Sequence, residues 1–274
     1  MASGEKQGLL LGRRASSPKE YAPSILYPIP RHSGRESIGL AGAVLFQGVD
    51  LWHAYELSWL DNSGKPVVRI GRFSVPASSP NIIESKSLKL YLNSLNNSQF
   101  GCDEDALRTI TKDVSAVAEA DVSLALYAVD DPALTGVTLQ GECLDECMIE
   151  PWLGEPDAMQ LEVHSDKIIE EVLYSHLLRS LCPVTGQPDW ATVWLHYRGS
   201  AIVHSSLLQY IVAYREHREF HEQCLERMFC AISMRAQVDF LHIQAFYTRR
   251  GGLDISPFRT TDGSAQPLPR LNRQ

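Results

Sequence analysis

The chain has 274 residues, 44% of them hydrophobic and 21% charged, the composition of an ordinary globular protein with one large domain or two half-size ones. No apolar run approaches the length of a membrane span. The net charge is −8 and no segment masses Lys and Arg, which excludes a phosphate-backbone binder and leaves a nucleobase-sized ligand open.

Residues 1–40 read as an N-terminal arm. Leu9 to Leu11, followed by Arg13 and Arg14, is no signal peptide, so the expected location is the cytoplasm. Pro18, Pro23, Pro28 and Pro30 favour extended backbone through the arm. Tyr55, Leu57 and Trp59 alternate with polar residues as in a strand, Asp61 to Gly64 marks a turn, and Val67 to Val75 reads as the partner strand. Leu88, Tyr91, Leu92 and Leu95 fall at helical spacing. So do Leu107, Ile110, Val114 and Val117, behind a cap expected at Asp103. A strand-like pair follows, over 122–129 and 134–139.

The second half runs a similar course. Val172 to Leu178 and Ala191 to Tyr197 alternate, and one long helix is expected from about Ser206 to Phe229. A strand follows from Val238 to about Tyr247, and 259–274 reads as a tail. Both helix starts share Ser-Leu-x-x-Tyr, at Ser87 to Tyr91 and Ser206 to Tyr210. This recurrence predicts an α+β duplication, with helices packed on one face of antiparallel sheets. Its parts are the arm, a first module over 41–150 and a second over 151–274.

Six cysteines, at 102, 143, 147, 182, 224 and 230, read as reduced thiols. Cys143 and Cys147 have a spacing seen in zinc sites, but no second ligand pair follows in the sequence, so no metal is expected. Cys182 lies in a loop held by Pro183, Gly186 and Pro188, with Asp189 at the start of the next strand. A thiolate can attack and a carboxylic acid can donate a proton, but on these residues alone a loop cysteine of no consequence is the favoured reading. Arg218 and His221 fall on the apolar stripe of the long helix, with Glu222 at its edge. They read either as a core polar network or as a ligand site. His217 and His221 are too few for a helix-face metal site. Glu84 before a helix start, beside Lys86 and Lys89, reads either as a cap or as a base-edge acceptor with cations for a phosphate.

Taken together, Glu84-Ser85-Lys86-Ser87-Leu88-Lys89-Leu90-Tyr91, the Cys182-to-Asp189 loop, Phe220-His221-Glu222 and Tyr247 to Asp254 resemble the QueF nitrile reductases. These are the NADPH-dependent 7-cyano-7-deazaguanine reductases, and the chain is similar to their two-module members from about Gly8 to Arg259. The resemblance implies tandem tunnelling-fold modules and further assembly, here as a homodimer, with neither direct nucleic-acid binding nor a membrane. It implies reduction of the nitrile to the 7-aminomethyl product on the free base, on the way to queuosine in transfer RNA. It makes Cys182 the nucleophile that forms a thioimide, Asp189 the proton donor and His221 a relay or substrate contact. Ile83, Glu84, Ser85, Phe220, His221 and Glu222 are then substrate contacts. Ser85, Lys86, Arg250 and Gly251 contact NADPH, used twice per turnover as co-substrate. No Gly-x-Gly-x-x-Gly fingerprint marks that cofactor site. Rival readings are a GTP cyclohydrolase-like hydrolase of the same fold, a non-catalytic deazapurine-binding protein and, more distantly, a cysteine hydrolase.

Overall fold

A computed structural model describes residues 18–40, 42, 44–150 and 154–274. These form two compact units that interleave along the chain: one of residues 18–37, 50–134 and 249–255, the other of 38–49, 135–248 and 256–274.

In the first unit β1 (Pro28–Pro30) pairs antiparallel with β4 (Asn81–Ile83). Between them in sequence come α1 (Arg31–Ser37), β2 (Gln47–Leu60) and β3 (Pro66–Pro76); after them come α2 (Ser85–Ser94), α3 (Asp103–Ala118) and β5 (Ser123–Tyr127). The sheet order is β5-β3-β2. At the β2–β3 turn, Asp61 Oδ1 accepts from the backbone N–H of Ser63 and Lys65, and Gly64 takes a φ of +81°. Trp52, Leu57, Trp59 and Phe73 from the strands pack with Leu88, Tyr91, Leu95, Ile110 and Val114 from the helices in one buried cluster. The predicted helical stripes are this core.

The second unit holds β6 (Glu142–Cys143), β7 (Val163–Leu181), β8 (Pro188–Ile202), α4 (His204–Ala213), α5 (His221–Ala236) and β9 (Phe240–Tyr247). It also holds most of β10 (Leu253–Thr260), in the order β10-β9-β8-β7-β6. The pairs are antiparallel except β6 with β7, and α4 and α5 pack against β7, β8 and β9. The fold is therefore mixed α+β, with mostly antiparallel sheet and five α-helices among the described residues.

The Ser-Leu-x-x-Tyr recurrence has a structural counterpart in hydrogen bonding. Ser87 Oγ donates to the Glu84 carbonyl at 2.7 Å and accepts the Tyr27 N–H at 3.0 Å. Ser206 Oγ donates to the Val203 carbonyl at 2.8 Å and accepts the Glu162 N–H at 3.0 Å. Each serine thus ties a helix start to a preceding extended segment. The helices α2 and α4 each have 10 residues, α3 and α5 each 16, and the last two both end on a left-handed residue, Glu119 and Gln237.

Four expectations are corrected. The arm is not wholly extended, because no proline falls after Pro30 and α1 forms over Arg31–Ser37. Cys102, not Asp103, stands at the N-cap position of α3, without a side-chain capping bond, and Asp103 sits in its first turn. Residues 134–139 are not a strand: Val137 makes a single bridge to Leu271, its N–H bonding the Arg270 carbonyl. That bridge also anchors the supposed tail, where Gln274 donates to Tyr247 O and Ser256 Oγ.

The fourth correction reaches the site. The long helix is two helices. A 3₁₀ turn at Tyr214–Glu216 ends α4, and α5 starts only at His221. The segment between has no proline or glycine. It is pulled out of the helix by β7, whose Leu181 N–H bonds the His217 carbonyl at 2.8 Å and whose Leu181 bridges Arg218. A helix through these residues would forfeit that pairing.

Candidate active site

Because Leu181 pairs with His217, the end of β7 lies beside the start of α5. Leu181 and Pro188 close the β7–β8 hairpin as partners, and Cys182 is the first residue of its loop. The Cys182 N–H donates to Gln187 O and the Gly186 N–H to Cys182 O, both at 2.9 Å. Gly186 takes a φ of +68°, a conformation that would strain a side chain. Cys182 is buried in this closed loop, without the freedom of an exposed tip.

Asp189, opposite Ser180 at the base of the loop, is also buried. Its Oδ2 lies 3.2 Å from His221 Nε2, and the His221 ring stacks on Tyr247 of β9 at 3.8 Å with an interplanar angle of 13°. Three strands and a helix start thus fix one carboxyl–imidazole pair. Glu222, next in the first turn of α5, is 2% exposed, with its charge at the favourable positive end of the helix. Phe220 is the N-cap residue of α5. One unit therefore gathers Cys182, Asp189, Phe220, His221 and Glu222.

Cys224, two residues after Glu222 on α5, makes a useful contrast. It is completely buried, and burial, with the Glu219 charge adding, pushes its thiol well above the ordinary value. A thiol held protonated is a poor nucleophile.

Arg218 is exposed in the extended segment, and His217 does not share a helix face with His221, so neither pairing drawn from the long-helix stripe survives. His217 instead lies 2.5 Å from Glu155 Oε2 and 3.1 Å from Glu219 Oε2, and Arg227 donates to both oxygens of Glu219. This network braces the helix break. Burial alone would lower the His217 pKa, but hydrogen bonds and charge from Glu219 and Glu155 outweigh it and raise the pKa above its ordinary 6.5. A raised folded-state value gives stability that is full below the ordinary pKa and lost as pH rises through the raised one. The unfolding midpoint of His217→Asn should therefore fall furthest below that of the parent at about pH 5.5 and approach it at about pH 8.5. A gap constant over that range in thermal melts would refute this.

The other candidates lie in the first unit. Glu84 caps α2: its carboxylate accepts the Lys86 N–H at 3.0 Å and the Ser87 N–H at 2.7 Å. Burial raises its pKa against the pull of those N–H groups. A carboxylate has about four acceptor sites, so capping leaves capacity for a base edge. Ile83 is buried beside it, and Ser85 and Lys86 open the helix. One turn on, Lys89 meets Gly251, where an added Cβ would stand 3.3 Å from Lys89 Cδ. Gly251 has a φ of +60°. Arg249 lies over the Tyr55 ring at 3.4 Å, and Arg250 is exposed in the turn. The helix start and the Arg250-Gly251 turn are thus neighbours with a cationic donor set suited to a phosphorylated dinucleotide. Glu84 already occupies the Lys86 and Ser87 N–H groups at this helix start.

Three participants were not singled out by sequence. Tyr247 is the stacking floor of His221, and Glu219 and Arg227 belong to the bracing network. Only the four-residue helical spacing within Tyr210, Tyr214 and Arg218 hinted at polar groups there.

Two family models match the chain. One, described as "Nitrile reductase, 7-cyano-7-deazaguanine-reductase N-term", covers residues 17–126; the other, "QueF-like protein", covers 188–266. A Chromohalobacter salexigens protein named NADPH-dependent 7-cyano-7-deazaguanine reductase is 48% identical over 266 residues, 96% of either chain. The chain belongs to the QueF family. An Acinetobacter baumannii protein of the same name is 49% identical over 267 residues, 97% of this chain and 98% of its own. The QueF matches contain every candidate site residue except Cys182, which lies between the two matched segments.

Proposed function

We propose that this protein reduces the nitrile of 7-cyano-7-deazaguanine to the primary amine with NADPH, through a covalent thioimide at Cys182. The observation that carries the chemistry is the closed Cys182 loop with the Asp189–His221 pair at its base. Family membership and the named relatives support the substrate and the cofactor.

Cys182 sulfur adds to the nitrile carbon, and Asp189, paired with His221, delivers the proton that the nitrogen takes up. NADPH, when bound, supplies hydride, twice per turnover. After the first reduction the C–S bond breaks and the sulfur leaves as thiolate, giving an imine; the site must hold this imine away from water until it is reduced. Glu222 and Glu84 accept the guanine-like N–H groups, Phe220 and Ile83 wall the ring, and His221 orients the proton donor. Ser85, Lys86, Arg250 and Gly251 hold the dinucleotide.

The reading includes tandem tunnelling-fold modules over 41–150 and 151–274, supported by the repeated serine bonding and helix lengths, and assembly as a homodimer. The substrate is the free base, and the site is cytoplasmic; no helix among the described residues is long and apolar enough to cross a membrane.

Incubation with the nitrile and either nicotinamide cofactor tests the activity, with the amine detected by mass. Turnover should strongly prefer NADPH. Lys86→Ala with Arg250→Ala should narrow that preference by about 1.5–3 kcal/mol per lost charge-assisted contact. No amine with either cofactor would refute the function; equal efficiency with NADH would refute the phosphate contacts.

A further inference from the structure

We propose that Cys143, Asp145 and His176 form a binding site for a single zinc ion, separate from the nitrile chemistry. One ligand atom from each of the three lies within 4.8 Å of the others. Zinc ligands stand about 2.0–2.3 Å from the metal, so tetrahedral neighbours are roughly 3.3–3.8 Å apart. Side-chain rotations of the order of an ångström would close the cluster around an ion.

The site is assembled by strand pairing, which is why spacing alone does not reveal it. Cys143 on β6 lies in parallel register with Tyr174 on β7, and His176 follows Tyr174 by two residues, just where the β7–β8 register shifts. β7 thus supplies the ligand that Cys143 and Cys147 lack in the sequence. Asp145, two residues after Cys143, is held in place: Ser175 Oγ donates to its Oδ1 at 2.7 Å, and the His176 N–H lies 3.1 and 3.2 Å from its two oxygens. His176 Nδ1 is 2.9 Å from Thr192 Oγ1, a bond of the kind that orients a ligating imidazole. Asp145 and His176 are therefore held near one another by their neighbours, and small side-chain rotations complete the cluster.

The donor set decides the metal. A thiolate and an imidazole disfavour magnesium and calcium, which want oxygen ligands, and suit zinc. Three protein ligands leave a fourth position. His176 also lines a cleft of about 360 Å³ with Tyr174, Thr192, Leu139 and Arg273, so a water can fill that position. The ion would fasten the two-residue strand β6 to β7, adding to a single short parallel ladder.

The test uses the whole protein, stripped of metal and kept reduced, titrated with cobalt(II) as a spectroscopic stand-in and then with zinc. A thiolate-to-cobalt charge-transfer band should grow to one equivalent per chain and vanish as zinc displaces cobalt. Cys143→Ser should abolish the band. His176→Gln, which keeps the thiolate, should weaken binding by about tenfold or more. Cys182→Ala should bind as the parent does, since the reactive thiol is not a ligand. Circular dichroism verifies that each variant is folded. No band in the parent, a band retained in Cys143→Ser, parent-like affinity in His176→Gln, or loss of the band in Cys182→Ala would each overturn the proposal.

Discussion

Cys182→Ala should take up no covalent mass from the nitrile and show no detectable turnover, while still binding the substrate. The parent, given the nitrile without NADPH, should gain the mass of one substrate per chain and a new absorbance from the conjugated C=N. The reason lies in the loop. Its two backbone hydrogen bonds and Gly186 fix where the Cys182 sulfur can reach. A thiol that attacks must do so as thiolate, and under the proposed mechanism Cys182 is that thiol. Cys224 is the nearest rival in sequence to the helix start that carries Glu222, but burial keeps its thiol protonated. Cys224→Ser should form the adduct at the parent's rate. Binding in Cys182→Ala should persist because Glu222 and Glu84 sit on α5 and at the start of α2, elements the substitution does not touch. Intact-protein mass spectrometry reads both outcomes. An adduct that survives in Cys182→Ala would place the nucleophile elsewhere and end the mechanism.

The helices and strands of the α+β fold were legible because their signals are local. Leu88, Tyr91, Leu92 and Leu95 announce α2 by spacing, and Ser87 and Ser206 mark two helix starts that bond alike. The site residues were legible only as motifs, and their arrangement was not. Between Ala213 and His221 the sequence reads as continuous helix, and what breaks it is a backbone bond from Leu181, far away in sequence. Without that break His221 would lie mid-helix. With it, His221 and Glu222 open α5 beside the Cys182 loop. The stacking of Tyr247 on His221 and the grouping of Cys143 with Asp145 and His176 were hidden for the same reason, since each depends on which strand lies next to which. Strand neighbours are set by long-range pairing, which periodicity does not encode.

Asp189→Asn should slow thioimide formation by about 10²–10⁴-fold, the usual worth of a positioned general acid. The amide keeps the size of the carboxyl and can still hydrogen-bond His221, so the hairpin register and the stacked imidazole should remain. What it removes is a proton. As sulfur adds to the nitrile, negative charge gathers on nitrogen, and an unprotonated imide anion reverts by expelling the thiolate. Under the proposed mechanism Asp189, 3.2 Å from His221, supplies that proton. The loss should therefore appear in the rate of adduct formation and in kcat, with nitrile affinity unchanged. His221→Gln should slow the same step by less, because the carboxyl remains and loses only the partner stacked on Tyr247. A purely structural role for Asp189 predicts something different: weaker binding, a lower unfolding temperature and an adduct rate that recovers at saturating substrate. Stopped-flow absorbance of the C=N chromophore, followed to saturation, separates the two. A saturated rate equal to the parent's would remove Asp189 from the chemistry and leave the proton to another donor.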